Sequence, residues 1–506
     1  MSLHLLSSFL LLIFSLLVFF RITRTRSSKL KDSSSSPSAD VILPKSYPIV
    51  GSVFSFLANR NQVVEWLTSI LQNVPSATFP LHGLWGQVTI LTANPVNVQH
   101  ILKANFYNYP KGAESQTILS DFLGHGIFNI DGEEWKFQRQ ISSHEFNTKS
   151  LRKFVETVVE TELSERLIPV LESAAANKQV LDFQDVLQRF AFDNICKIAF
   201  GFDPEYLLPS FPEFKVAQAF DEAVKICSDR FQTALPIVWK IKRLLNIGSE
   251  KRLKLAVCEV QEFSKNIIKE KKQNPAESMD LLSRFLSSGQ YDDDFVSDIV
   301  ISFMLAGRDT TSAALTWFFF LISKHPEAEK EILKEIKEKS DTPVYEGIKD
   351  MVYTQASLCE SMRFYPPVPV DSKLADRDDI LPDGTVVKKG MRVAYHPYAM
   401  GRMEKLWGKD WSEFKPERWL KKEEDETWSF VGRDAYTYPV FQAGPRICLG
   451  KEMAFLQMKR IVSGVLKRFK VVPVLEKGVE PEFVAHLTAK MKGGLSVRIE
   501  KRNESK

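Results

Sequence analysis

Two long apolar runs dominate the pattern of hydrophobic and polar positions, and they differ in what flanks them. Leu3 to Phe20 reads LHLLSSFLLLIFSLLVFF, without an ionised side chain. As a helix it is about 27 Å long, against roughly 30 Å for the hydrocarbon core of a bilayer. Arg21, Arg24, Arg26, Lys29 and Lys31 follow at once. A cleavable signal would carry its charge before the apolar core and a small-residue site after it, and neither is present. Residues 3–20 are therefore expected to form a transmembrane anchor, with the basic flank holding the rest of the chain on the cytosolic side. The second run, Phe295 to Lys324, is roughly 45 Å long if helical and apolar nearly all round. Arg308, Asp309 and adjacent threonines interrupt it at its midpoint. Charges there are costly in lipid, and no basic cluster flanks the run. It is expected to be a helix through the middle of a large core.

Between the two runs the pattern is mostly helical, for example over 151–171 and 250–272, and again after Cys448 over 451–469. Short alternating stretches at 88–91, 385–388 and 495–499 predict strands. Asp32 to Asp40 (DSSSSPSAD) has linker composition, and Pro44, Pro48 and Gly51 read as a stiff hinge. The expected organisation is an anchor at 3–20, a basic and Ser/Pro-rich linker at 21–43, and one large domain at 44–502. That domain should be mainly α with a minor β part.

The net charge of +4 is concentrated in the basic flank; without those five residues the chain has 62 basic against 63 acidic side chains. No basic face for nucleic acid stands out. Cys196, Cys227, Cys258, Cys359 and Cys448 are scattered, odd in number and form no CxxC pair, so neither a disulfide framework nor a zinc knuckle is suggested. The first four read as small core hydrophobes. None of the eight histidines falls in a metal-binding pattern.

Cys448 is different. Phe441-Gln-Ala-Gly444-Pro-Arg446-Ile-Cys448-Leu-Gly450 places it in a glycine-rich loop that opens a helix. Backbone N–H groups and the helix N-terminus there favour negative charge, which lowers a thiol pKa and suits a thiolate. Arg446 adds a positive charge able to grip an anion. A phosphate loop is excluded, because five residues separate Gly444 from Gly450 and Glu452 stands where Ser or Thr would hold magnesium.

The pattern F-x-x-G-x-R-x-C-x-G resembles the haem-binding loop of the cytochrome P-450 superfamily, with all its specified positions matched. The resemblance implies a haem b whose iron takes Cys448 as its thiolate ligand, with Phe441, Gly444 and Gly450 shaping the loop and Arg446 on a propionate. Thiolate ligation pushes electron density to iron and favours O–O cleavage. Further family marks follow in order. Glu360-Ser-Met-Arg363 and Phe414-Lys-Pro-Glu-Arg418 supply a Glu and two arginines that form a buried structural triad in the family. Ala306-Gly-Arg-Asp309-Thr310-Thr resembles the oxygen-activation motif, implying that Thr310 positions a proton for dioxygen and Asp309 helps resupply it. The competing reading of Thr310 is a hydroxyl that only bonds back to its own helix. Trp135-Lys-Phe-Gln-Arg139 resembles the helix whose Trp and Arg bind a propionate, and Lys373 is a further propionate contact by alignment. No G-x-G-x-x-G fingerprint is present, so electrons are expected from another protein, which the resemblance implies is an NADPH-dependent flavoprotein reductase. Lys136, Lys451, Lys459 and Arg460 lie in the segments expected to meet it.

Narrower text such as AGRDTTSAALTWFF, SHEFNTKSLR and AYHPYAMGRM resembles the plant branch that hydroxylates fatty acids at the terminal carbon, sometimes onward to the diacid. A closely similar sub-branch hydroxylates jasmonoyl–amino-acid conjugates. A haem-thiolate hydroperoxide lyase or isomerase, needing no reductase, is the alternative of another class; such relatives usually depart from the Asp-Thr pair, which this chain keeps as Asp309 and Thr310. The resemblance implies a substrate pocket drawing on Phe122, Leu123, Ile127, Phe128, Ala306, Val368, Val370 and Leu487, although each suits a core equally well. It also implies a single-pass protein of the endoplasmic reticulum membrane with a cytosolic catalytic domain and a lipophilic substrate. No carboxylate-binding residue can be located from the sequence.

Overall fold

Helix governs the architecture of this computed structural model, which describes residues 43–502 apart from 234, 275–279, 290–291, 425–426 and 476–477. The expected anchor at 3–20 and nearly all of the linker lie outside the described residues. Ten helices matter for the site: α1 Val63–Asn73, α2 Ala113–Leu123, α3 Gly132–Ser143, α4 Phe183–Phe200, α5 Lys215–Phe231, α6 Pro236–Leu245, α7 Gly248–Gln273, α8 Asp293–Lys324, α9 Val352–Phe364 and α10 Lys451–Arg468. The expected helix at 151–171 is part of a continuous helical run over 148–177 that includes two π-wound stretches, Phe154–Val159 and Leu163–Leu167.

The strands are short: β1 Thr78–His82, β2 Val88–Thr92, β3 Val180–Asp182, β4 Asp371–Leu374, β5 Arg392–Tyr395, β6 Phe469–Pro473, β7 Phe483–Ala485, β8 Ala489–Met491 and β9 Ser496–Lys501. One sheet runs β1-β2-β5-β4, with β2 and β5 parallel and the outer pairs antiparallel. A second runs β6-β9-β3, and β7 with β8 makes a hairpin. The expected strand at 385–388 survives only as the two-residue pairing of Val386–Val387 with Asp379–Ile380.

Helix α8 organises the whole. Its N-cap is Asp292, whose carboxylate accepts from the Phe295 N–H at 2.9 Å, with Asp293 and Asp294 in the first turn where the helix dipole favours them. It ends at His325, before Pro326. It is apolar all round because it is buried all round. Its first half, from Val296 to Leu305, packs with α2, α5 and α7 in one core; its second half, from Ala314 to Ile322, joins α10 and the 148–177 run in another. The interrupted midpoint falls where the two cores part. Among the described residues no helix is long and apolar enough to cross a membrane.

One close approach fixes α4 against that midpoint. A Cβ on Gly307 would sit 2.5 Å from Cγ1 of Ile195, so only glycine lets the two helices meet there.

Candidate active site

A cavity of about 880 Å³ opens beside the midpoint of α8. Cys448 is the cysteine that lines it; Cys196, Cys227 and Cys359 are buried elsewhere. The expectation that four cysteines are core residues fails for Cys258, which is exposed on α7.

The loop before α10 holds Cys448 firmly. Its N–H donates to the Phe441 carbonyl at 2.8 Å, and the Phe441 ring packs on Phe455 of α10 at 5.1 Å between centroids. Gly444 has φ +65, and a Cβ there would lie 2.0 Å from the Leu102 carbonyl oxygen, so the turn admits no side chain. Cys448 opens onto the cavity, and the protein around it desolvates the sulfur. That burial pushes the thiol up, while the Gly450 N–H and the charges of Arg139 and Lys451 pull it back. The sequence expectation of a lowered thiol pKa is therefore half met: the loop and helix act as expected, but desolvation outweighs them. A positive partner on the cavity side is what a thiolate here requires.

The same wall carries an excess of positive charge. Lys111, Arg139, Lys373 and Arg446 line the cavity with Trp135. Arg446 donates to Asp131 Oδ1 at 2.7 Å and lies 4.3 Å over the Trp135 ring. Arg139 donates to the Ile447 carbonyl at 2.8 Å, so α3 grips the Cys448 loop directly. Lys373 donates to Asp371 Oδ2 at 2.7 Å, and Lys111 reaches Asp371 Oδ1 at 3.4 Å. Burial works against the Asp371 carboxylate, yet Lys111 and Lys373 hold it well below the usual range. Burial also pushes Lys373 down to about 7. Lys111, Arg139 and Arg446, with Lys373 beside them, face the two carboxylates Asp131 and Asp371, which leaves positive charge for further anionic groups. A thiol and an excess of positive charge lining one cavity fit a haem with its anionic propionates.

Thr310 and Ala306 line the cavity from α8. The Thr310 hydroxyl donates to the Ala306 carbonyl at 2.6 Å. Asp309 does not line the cavity. Its Oδ1 accepts from Arg308 at 3.1 Å, its Oδ2 from the Thr488 hydroxyl at 3.2 Å, and it is buried.

The family model described as Cytochrome P-450 matches residues 42–496. Cytochrome P-450 94A2 of Vicia sativa is 60% identical over 512 residues, covering 99% of each chain. Cytochrome P-450 94B1 of Arabidopsis thaliana is 48% identical over 510 residues, again 99% of each chain, and Cytochrome P-450 94B3 of the same plant is 46% identical over 504 residues, 98% of each. This chain belongs to the cytochrome P-450 family. As such it is a mainly helical haem-thiolate monooxygenase that receives electrons from a separate redox partner, an NADPH-dependent reductase.

In this P-450, Glu360 and Arg363 are not the surface pair that their spacing alone would suggest. Both are fully buried, with Arg363 Nε and Nη2 donating at 2.8 Å each to the two carboxylate oxygens. Arg418 Nε donates to Oε1 at 3.1 Å and the Trp419 indole N–H to Oε2 at 3.0 Å. The guanidinium of Arg418 also donates to the Trp407 carbonyl at 2.9 Å. Every polar group of the triad has a partner, which is the condition under which buried charge is tolerated.

Of the expected pocket residues, Leu123, Ile127, Phe128, Ala306, Val368, Val370 and Leu487 line the cavity. Phe122 does not. On α2, Ser115, Leu119 and Leu123 share the cavity face at intervals of one turn, and Phe122 is turned away to pack edge-on against Phe220 at 5.0 Å. Gly444 likewise supports the loop without lining the cavity.

Several residues escaped the sequence reading. Arg308 is buried, donates to Asp221 Oδ1 on α5 at 2.8 Å, and lies 5.4 Å over the Phe220 ring. Lys490 of the hairpin reaches the same Asp221 oxygen at 2.9 Å. Burial opposes the Asp221 charge, but Arg308 and Lys490 hold its carboxyl below the ordinary value. The network ties α8, α5 and the hairpin together behind the cavity. Among the cations expected on the reductase face, Lys459 is buried and donates to the Lys349 carbonyl at 2.7 Å; burial pushes it down to about 8. Arg460 is half-buried against Glu160 at 2.8 Å. Lys136 and Lys451 remain exposed.

Proposed function

We propose that this chain hydroxylates fatty acids at the terminal carbon, with the alcohol open to further oxidation to the diacid, and that Cys448 is the thiolate ligand of its haem. When bound, the haem supplies the activation of dioxygen. The chain's own residues supply the rest. Arg446, Arg139, Lys373 and Trp135 are the candidates to hold the propionates. Thr310 keeps a hydroxyl at the cavity edge, where a proton is needed, and Asp309, positioned by Arg308 and Thr488, is the carboxylate behind it. Glu360, Arg363 and Arg418 keep the loop's surroundings rigid.

The observation that carries the substrate reading is the lining of the cavity. Leu119, Leu123, Ile127, Phe303, Val368 and Leu487 line the same cavity as Cys448 with apolar side chains. Each methylene buried there contributes about 0.8 kcal/mol, so an alkyl chain of ordinary length is held without any polar contact. The likeness of several segments to the fatty-acid branch supports the same class.

A membrane setting on the endoplasmic reticulum completes the reading, with residues 3–20 as anchor, 21–43 as linker and 44–502 as the cytosolic domain. Helix α6 supports it. Trp239 is buried against Arg230, while Ile237, Val238, Ile241 and Leu244 stand exposed among Lys240, Lys242 and Arg243. That is the composition of a helix lying on an anionic lipid surface.

The test is product identification by mass spectrometry after incubation with reductase, NADPH and a panel of fatty acids and jasmonoyl-isoleucine. Terminal hydroxy acids are expected. Turnover of jasmonoyl-isoleucine alone would replace the substrate assignment, and product formed without NADPH would replace the reaction.

A further inference from the structure

The charges that line the cavity outside the Cys448 loop and its partners pose a question that the haem does not answer. Cations lining the cavity beside the cysteine are committed to Asp131, Asp371 or the Cys448 loop, as described above. Two more cations line it from other segments, Arg60 before α1 and Lys492 after β8. Lys492 donates to Glu482 at 2.8 Å, and Glu482 lines the cavity too, so that pair is neutral. Arg60 is exposed and has no ion pair or side-chain hydrogen bond among the described residues. Its neighbour Asn61 also lines the cavity, with an amide that is equally uncommitted.

The backbone under Arg60 is fixed. It sits between the short helix Val53–Ala58 and α1. The Asn59 N–H donates to the Phe56 carbonyl at 3.1 Å, the Asn59 side chain to the Ser55 carbonyl at 2.8 Å, and the Gln62 N–H back to the Asn59 carbonyl at 2.9 Å. The held turn spares the backbone cost of binding, and ordering the arginine side chain costs about 0.5–1.5 kcal/mol. The other carboxylate nearby in the chain is Glu65, which also lines the cavity; its partial burial raises its pKa, and Arg402 opposes that rise.

We propose that Arg60, assisted by the Asn61 amide, anchors the carboxylate of the substrate where the turn before α1 lines the cavity. This rests on the fatty-acid reading and deepens it. A carboxylate is the complement of a guanidinium flanked by an amide donor, and an alkyl chain fixed there by its head presents its far end to the haem. The anchor selects orientation, whereas the apolar wall supplies most of the affinity, because an exposed ion pair is weak and screened by salt.

The experiment uses the full-length holoenzyme with reductase, and compares dodecanoic acid with its methyl ester. Arg60→Gln should raise the ratio of KM for the acid to KM for the ester by about five-fold, and Arg60→Lys should recover part of it. Direct binding of dodecanoate, titrated by calorimetry at low and high salt, should weaken in the Gln variant and lose much of its salt dependence. An unchanged ratio, or acid and ester moving together, overturns the anchor while fatty-acid hydroxylation stands. A wild-type enzyme that turns over no fatty acid overturns the substrate reading and the anchor with it.

Discussion

The hydroxyl of Thr310 donates to the carbonyl of Ala306 at 2.6 Å, and both residues face the cavity that Cys448 lines. The back-bond that would make Thr310 a mere helix residue is thus present, and so is its exposure to the reaction space. The two readings do not exclude each other. With its proton given to Ala306, the oxygen keeps lone pairs to accept from a donor in the cavity.

Replacing Thr310 by Ala should lower product formed per NADPH oxidised, with the reduced oxygen released as peroxide. Positioned proton transfer is typically worth about 10²–10⁴-fold, and water entering the vacated space should recover part of that. Thr310→Ser should stay near wild type. An unchanged coupling ratio in the Ala variant would leave the hydroxyl with its helix role alone.

Glu360 bears the charges of Arg363 and Arg418 where no water reaches. Glu360→Ala leaves the buried Arg363 guanidinium without its counter-ion, while Arg418 keeps Asp410 at 2.8 Å; breaking such a buried pair costs about 3–5 kcal/mol. The holoprotein should melt well below wild type and lose haem on heating. A melting temperature within a degree or two of wild type would show that the triad contributes little.

His396 is fully buried, and its Nδ1 accepts from the Ala399 N–H at 3.1 Å. Burial pushes its pKa down to about 3. The unfolded chain therefore takes up a proton that the folded chain refuses, and this part of the stability, complete above about 6.5, is lost as pH falls towards 3. His396→Asn keeps an acceptor for Ala399 without a titrating ring. The drop in melting temperature between pH 7.5 and 5.5 should be smaller in that variant, and an equal drop would remove His396 from the account.

Deleting residues 1–31 should weaken membrane association and preserve haem binding, with residual attachment through α6. Adding Ile241→Glu and Leu244→Glu should release that remainder in vesicle sedimentation. If the truncated protein resists alkaline wash, the anchor assignment is wrong.

Much of this site was legible in the sequence because its signals are local. The glycines and arginine around Cys448 stand within ten residues of one another, and the apolar run of α8 announces its own burial. What stayed hidden depends on elements remote in the chain. Arg308 reads as a stray charge until Asp221, on another helix, meets it. Lys459 reads as a solvent-facing cation until the Lys349 carbonyl receives it. Phe122 differs from Leu119 and Leu123 only by its angle around α2, which composition does not reveal. Arg60 stands in a turn whose approach to the cavity no local pattern marks.

The account stands on one sulfur. Cys448→Ser should abolish the red-shifted absorption of the reduced carbonyl complex that marks thiolate ligation. Cys258→Ser, at the other exposed cysteine, should retain it in full. The measurement is the reduced carbon monoxide difference spectrum of both variants beside wild type. Loss of the band at Cys448 alone is the predicted result; a band that survives there would contradict the assignment of the iron ligand and the site built around it.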